Sequence, residues 1–284
     1  MNEWQQWLGT TQTTEDVISL APVKGMAATL DRLGPATGDA LPPLWHWLYF
    51  LPTAPSRDLG HDGHATRGGF LPPVPLPRRM WAGSRLHLQR PLLIGEHARR
   101  DSRITNIVSK KGRSGQLVIV TVLHEVHADT GLVFTEEQDI VFREAPGATE
   151  NPPAAPAQKS DGPDAQWSRE LIADPVLLFR YSALTFNAHR IHYDHPYATR
   201  EEGYPGLVVH GPLTATLLVE TFLQEHPDAR IATMNIRAQR PLFHGRRFLL
   251  EGRVCADGRQ AQLWSLDAHG AVTMQIEATL NRQE

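Results

Sequence analysis

The sequence predicts an α+β protein built from two related halves, each a curved antiparallel sheet wrapped round an apolar helix. Three observations predict it. A Pro/Ala-rich polar stretch at 145–163 divides the chain into parts of similar size. Gln89-Arg90-Pro91-Leu92, followed by Gly95, recurs as Gln239-Arg240-Pro241-Leu242, followed by Gly245, each residue 150 positions later. Matched strand-like segments follow both copies, and order as well as identity is kept, so duplication explains the pattern better than chance.

The domains read as 1–145, a linker at 146–165, and 166–284. The linker has almost no large apolar residues and nothing to bury. In the first half, LWHWLYFL at 44–51 is apolar nearly all round and reads as a helix that something must wrap. Its aromatics Trp45, Trp47, Tyr49 and Phe50 read as core. A Pro/Gly/His-rich loop follows between residues 52 and 83, and loops of that length are usually functional or disordered. Strands are expected at 98–109, 115–127 and 132–142, then at 247–256, 260–268 and 271–280. Gly112, Gly131, Gly258 and Gly270 stand in the intervening turns, where hairpins call for positive φ. In the second half, 176–181 reads as a strand and LTATLLVETF at 213–222 as the central helix, with Pro212 in its first turn.

Composition removes several classes of function. The formal net charge is -3 and 21% of residues are charged, so the chain carries no basic footprint for nucleic acid. No apolar run approaches the ~20 residues of a bilayer span. Residues 1–8 lack the basic region and apolar stretch of a signal peptide, so a cytoplasmic location is expected. The lone Cys255 forms no internal disulfide and reads as a small apolar strand residue. With no Cys pair and no HExxH pattern, neither a metal nor a cofactor is expected.

The chemistry concentrates in 187–211. Within nine residues lie Asn187, His189, Arg190, His192, Asp194 and His195. Gly206-Leu-Val-Val-His210-Gly211-Pro212 then brings a short apolar strand to a glycine at a helix start. The free N–H groups and dipole of a helix N-terminus favour negative charge, such as a developing enolate oxygen.

FNAHRIHYD at 186–194 and GLVVHGPL at 206–213, with RRMWAGS at 78–84 and QRPL at 89–92, resemble the MaoC-type dehydratases, also called type-2 enoyl-CoA hydratases. The resemblance covers almost the whole chain. It is nearest to the branch of mesaconyl-C4-CoA and itaconyl-CoA hydratases and mitochondrial 3-hydroxyacyl thioester dehydratases. It implies a tandem hot-dog fold, an acyl-CoA thioester substrate and a homodimer. It also implies an aspartate–histidine pair five residues apart and an oxyanion amide. The histidine falls on His192 and the amide on Gly211. The aspartate falls on Asn187, which cannot exchange a proton at neutral pH but can orient a water. His192 alone would then carry a proton from water to the α-carbon.

Each residue has a plainer reading beside this one. His192 reads also as a buried structural histidine and Asn187 as a helix cap. His210 orients the turn or touches substrate, and Gly206 and Val209 line the acyl site. Arg190 meets an acyl carboxylate, a CoA phosphate or a surface carboxylate. Arg78 and Arg79 meet CoA phosphates from the long loop, or solvent. Asp194 and His195 make local bonds, or join His189 or His192 on a metal. The first half has no counterpart of the 187–192 motif, so one site per chain is expected. The leading function is hydration of a short dicarboxylyl-CoA to citramalyl-CoA. Dehydration of 3-hydroxyacyl thioesters, thioester hydrolysis and non-catalytic acyl-CoA binding are the alternatives.

Overall fold

The computed structural model describes residues 4–112, 115–144 and 164–281; most of the expected linker lies outside them. The elements run β1 (Thr11–Val17), α1 (Leu20–Thr29), β2 (Arg78–Leu88), β3 (His97–Gly112), β4 (Gly115–Ala128) and β5 (Gly131–Arg143). The second half continues with β6 (Trp167–Ile172), α2 (Pro175–Leu184), α3 (Gly211–Glu225), β7 (Ile231–Ala238), β8 (Arg247–Val254), β9 (Gln260–Leu266) and β10 (Val272–Leu280).

All ten strands form one antiparallel sheet in the order β1-β3-β4-β5-β2-β7-β10-β9-β8-β6. The order reads the same from both ends once each first-half strand is exchanged for its second-half counterpart. At the seam, β2 pairs with β7 and Arg85 faces Asn235. These two residues are 150 positions apart, the spacing of the QRPL copies, so each half meets its own equivalent across a local twofold. Joining the halves there also removes two free sheet edges. This is the double hot-dog architecture expected from the sequence.

The two halves differ in the helix they enclose. Helix α3 packs on β8, β9 and β10, and Leu213, Ala215, Leu218, Val219 and Phe222 are buried along it. A side chain the size of Phe222 contributes about 2–3 kcal/mol when fully buried. The expected first-half helix at 44–51 is instead a single 3-10 turn, Trp45–Leu48. Leu44 before it has φ 70 and Phe50 after it φ 54, conformations that stop helix propagation on both sides. Its position is nonetheless the equivalent one: the bridge Ala40–Leu93 precedes it as Val208–Phe243 precedes α3. Trp45 Nε1 donates to the buried Glu220 of α3 at 2.7 Å, and Arg32 pairs with the same carboxylate.

Three other expectations are corrected. Residues 176–181 belong to α2, not a strand. Asp174 caps that helix by accepting the Leu177 N–H at 2.7 Å, and Pro175 stands in the first turn. The loop ends at residue 77, and Arg78, Arg79 and Trp81 lie on β2, the seam strand. Its prolines and glycines obscured the start of a strand stabilised by long-range pairing to β5 and β7. Cys255 sits one residue past β8, partly buried.

Candidate active site

Two second-half segments and one first-half loop converge. Asn187 follows Phe186, which has φ 48, and its Oδ1 accepts the His189 N–H at 3.0 Å. This is a local Asx turn leading into the 3-10 turn Arg190–His192, whose N-cap is His189.

His192 is buried, and its Nδ1 lies 2.7 Å from the Val208 carbonyl oxygen. A carbonyl only accepts, so Nδ1 carries the proton and Nε2 keeps its lone pair. Burial lowers the pKa to about 4, outweighing the Val208 bond that raises it. The ring is therefore a neutral base near pH 7. His210 lies flat against it, with centroids 3.6 Å apart and planes at 20°. His210 Nε2 is 2.8 Å from Ser182 Oγ, and burial first, then His192 and His189, keep it well below the ordinary histidine range.

Gly211 is the first residue of α3, and its N-cap, His210, gives no side-chain bond to the free amides. Within the helix the Gly211 N–H has no acceptor. A Cβ at this position would come within 2.9 Å of Trp81 Cε3, so glycine is what lets the indole lie against the helix start. Trp81 is held by a chain of bonds, Nε1 to Ser84 Oγ at 3.0 Å and Ser84 Oγ to Glu136 Oε1 at 2.7 Å. Glu136 also bonds His46 Nε2 at 3.0 Å and Trp47 Nε1 at 3.2 Å. Burial raises this carboxyl, but the bond and charge of His46, with the charge of His124 and the Ser84 bond, together outweigh it and the pKa falls to about 2.

The remaining expected residues divide. Val209 is buried with its N–H on Leu242 O at 2.8 Å. Gly206 is packed so closely that a Cβ would reach within 2.9 Å of His244 Cε1. Arg190 is occupied locally: Nη2 bonds Asp194 Oδ2 at 2.8 Å and the guanidinium covers the Tyr197 ring at 4.2 Å. Asp194 is thereby tied to Arg190, and His195 stands edge-on to His244, so neither joins the imidazoles at 189 and 192. Arg78 pairs with Glu202 at 2.9 Å and covers Tyr204. Arg79 differs from its neighbour: among the described residues, no hydrogen bond or ion pair engages its guanidinium. Burial lowers its pKa and the charge of Asp62 raises it.

Two residues not singled out from the sequence belong here, Asp62 and His64. Asp62 Oδ2 is 2.9 Å from His64 Nδ1, and the His64 ring lies 4.1 Å from that of His189. His189 in turn stands edge-on to His192 at 5.4 Å. Asp62, His64 and His189 each offer one ligand atom within 4.8 Å of the others, a group with the donors to hold a metal ion. The HDGH run at 61–64 was the available signal.

On this fold, a neutral imidazole near a helix-start amide has the groups for adding water to, or removing it from, an acyl thioester, and the chain's relatives give the same class, a hydratase/dehydratase. The profile of the family described as hydroxyacyl-thioester dehydratase type 2 matches residues 44–244. The mesaconyl-C(4)-CoA hydratase of Chloroflexus aurantiacus is 49% identical over 97% of this chain and 98% of its own. A mitochondrial hydroxyacyl-thioester dehydratase type 2 of Schizosaccharomyces pombe is 30% identical over 75% of this chain and 80% of its own. A Mycobacterium tuberculosis protein with a double hotdog fold superposes with a TM-score of 0.61 at 13% identity, covering 96% of each chain. The chain belongs to the hydroxyacyl-thioester dehydratase type 2 family of MaoC-like, double hot-dog carbon–oxygen lyases. No helix among the described residues is long and apolar enough to cross a membrane.

Proposed function

We propose that this enzyme reversibly hydrates a short branched dicarboxylyl-CoA, mesaconyl-C4-CoA or itaconyl-CoA, to citramalyl-CoA. The observation that carries the reading is the near full-length 49% identity to a mesaconyl-C(4)-CoA hydratase. The site chemistry agrees with it. In mesaconyl-C4-CoA the β-carbon bears a methyl group and a free carboxylate. As the water oxygen bonds to that carbon, His192 Nε2 takes one of its protons. The π pair moves into the thioester as an enolate, which the Gly211 N–H and the α3 dipole stabilise. The His192 imidazolium then delivers its proton to the α-carbon and returns to neutrality. Arg79 supports the dicarboxylate: it is a cation without a direct partner, near enough to His189 for its charge to lower that imidazole's pKa. The role first considered for Arg190, pairing with the acyl carboxylate, passes to Arg79, because Asp194 already neutralises Arg190. A growing 3-hydroxyacyl chain would place apolar carbon against this charge.

Incubating the protein with mesaconyl-C4-CoA, itaconyl-CoA and crotonyl-CoA tests the reading by mass. A gain of one water on mesaconyl-C4-CoA, faster than on crotonyl-CoA, is the expected result; itaconyl-CoA, whose double bond lies between the β- and γ-carbons, follows the same route once that bond has moved into conjugation with the thioester. Preference for crotonyl-CoA would transfer the reading to monocarboxyl thioesters, release of free CoA would make the protein a hydrolase, and no change would leave a binding protein.

A further inference from the structure

The family's carboxylate position is Asn187, yet an ionised carboxylate, Asp62, lies against His64 and within reach of the charge of His189, the neighbour of His192. Asp62 comes from the other half of the chain. The loop carrying Asp62 is closed by Gly60 N–H to His64 O at 2.7 Å and by the bridge Leu59–Ala65. It is docked on the catalytic motif: the Arg190 N–H donates to Asp62 O at 2.9 Å, and Arg190 Nη1 donates to His61 O at 3.1 Å. Gly63, at φ 86, lies so close that a Cβ there would overlap the Ala188 carbonyl oxygen. Backbone contacts of this kind fix the loop to the turn that carries Asn187 and His192.

Within the loop, Asp62 holds His64 twice: Oδ1 accepts the His64 N–H at 3.0 Å and Oδ2 faces Nδ1 at 2.9 Å. Burial raises the Asp62 carboxyl, but the hydrogen bond and charge of His64 hold it well below the usual carboxylate range. Asp62 is thus an acceptor, Nδ1 of His64 carries the proton, and His64 Nε2 is left with a lone pair. Val208 imposes the same tautomer on His192. His64 and His192, from different halves, each keep one acceptor nitrogen, and the His189 ring neighbours both, 4.1 Å from His64 and 5.4 Å from His192; a water molecule has two hydrogens to offer them.

We propose that the Asp62–His64 pair of the first half replaces the carboxylate that Asn187 lacks, with His64 Nε2 accepting a hydrogen bond from the attacking water. His192 removes one proton from that water and later gives it to the α-carbon. The other hydrogen stays on the oxygen throughout, becomes the product hydroxyl hydrogen, and is held by His64. Bonds and charges balance without a further proton carrier. His64 is the catalytic residue of the pair, and Asp62 is a positioning residue that acts through its tautomer. A metal ion on Asp62, His64 and His189 would occupy the same lone pairs. Two arginines oppose it, since the charges of Arg79 and Arg67 already act unfavourably on a protonated His64.

The proposal rests on the hydratase reading, and the test separates the two. Full-length wild type, Asp62→Asn, His64→Ala and His64→Gln are assayed on mesaconyl-C4-CoA and crotonyl-CoA. Their thermal midpoints and metal content are measured alongside. Expected are a kcat loss of about 10²-fold in His64→Ala with KM within about threefold, and about tenfold recovery in His64→Gln, whose amide oxygen accepts a hydrogen bond. Asp62→Asn should fall between these two. A His64→Ala kcat within threefold of wild type overturns the proposal. So does a loss that glutamine does not relieve, or one matched by a lowered thermal midpoint in His64→Gln. Stoichiometric metal bound by wild type and lost in His64→Ala also overturns it. Wild type inactive on both substrates overturns the hydratase reading, and this proposal with it.

Discussion

The His192 ring lies on the His210 ring at 3.6 Å between centroids, and burial holds both below the ordinary histidine range. His192 therefore stays neutral down to about pH 4, and burial keeps His210 neutral as well. If neutral His192 is the base, the acid limb of kcat/KM should fall near pH 4, where His192 titrates. Activity should stay nearly flat from pH 5.5 to 8. A pH–rate profile on the free enzyme checks this, and a half-maximal point near 6.5 would exclude His192 as the titrating base. In the same assay His192→Ala should lose about 10²–10⁴-fold in kcat.

Gly211 and Trp81 form one contact, and the contact is testable. In Gly211→Ala the new methyl meets Trp81 Cε3 at 2.9 Å, so either the ring or the helix start must move. An oxyanion donor displaced from its position costs about 10²–10³-fold in kcat. A smaller ring at 81 relieves the overlap. Gly211→Ala with Trp81→Leu should thus recover part of the kcat lost by Gly211→Ala alone. A double-mutant cycle in kcat reads the coupling; strictly additive losses would show that the contact does not govern the amide.

The repeat, the downstream strands, α3 and the helix-start glycine were legible because local pattern carries them. The QRPL copies even located the local twofold that Arg85 and Asn235 mark. The helix expected at 44–51 was not refuted by its composition, since LWHWLYFL has the apolar content of a core helix. It is cut short by Leu44 and Phe50 in left-handed conformations, which composition alone does not announce. For the site, His192 and Gly211 were readable because they sit in two short motifs. Asp62 and His64 were not, since they reach the site only when a distant loop docks through the backbone of Asp62 and Gly63. Arg78 and Arg79 read alike, as loop residues meeting CoA phosphates or solvent, because the β2 pairing that sets them apart and brings Arg78 to Glu202 is long-range.

Stability should depend on pH through the buried histidines. Burial lowers His124 to about 4, against the charge of Glu136, and His192 also to about 4. Their unfolded values lie near ~6.5. The folded form binds protons less readily than the unfolded one. The stability these groups contribute is therefore fully present above pH 6.5 and is lost as pH falls from 6.5 towards 4. Each contributes on the order of 2–3 kcal/mol over that window. Urea midpoints should drop steadily from pH 7 to pH 5, and His124→Asn should flatten the slope. A midpoint unchanged across that range would contradict the burial of these rings in neutral form.

Arg79 should decide which thioester the enzyme prefers. Unlike Arg78 and Arg190, it has no direct carboxylate partner among the described residues, so its charge is free for a ligand. A β-carboxylate bound to it gains a charge-assisted, two-pronged contact, which a methyl group cannot make. A site built for a charged group rejects a substrate lacking it far more strongly than an apolar pocket rejects a methylene. Arg79→Met should therefore lower kcat/KM for mesaconyl-C4-CoA by about 10²–10³-fold while leaving crotonyl-CoA unchanged or improved. Arg79→Lys should keep the preference at reduced kcat/KM, because the ammonium preserves charge but not the planar fork. Competition between the two substrates in one vessel, read by product mass, measures the ratio directly. An unchanged ratio in Arg79→Met would place the carboxylate elsewhere and return Arg79 to the phosphates of CoA.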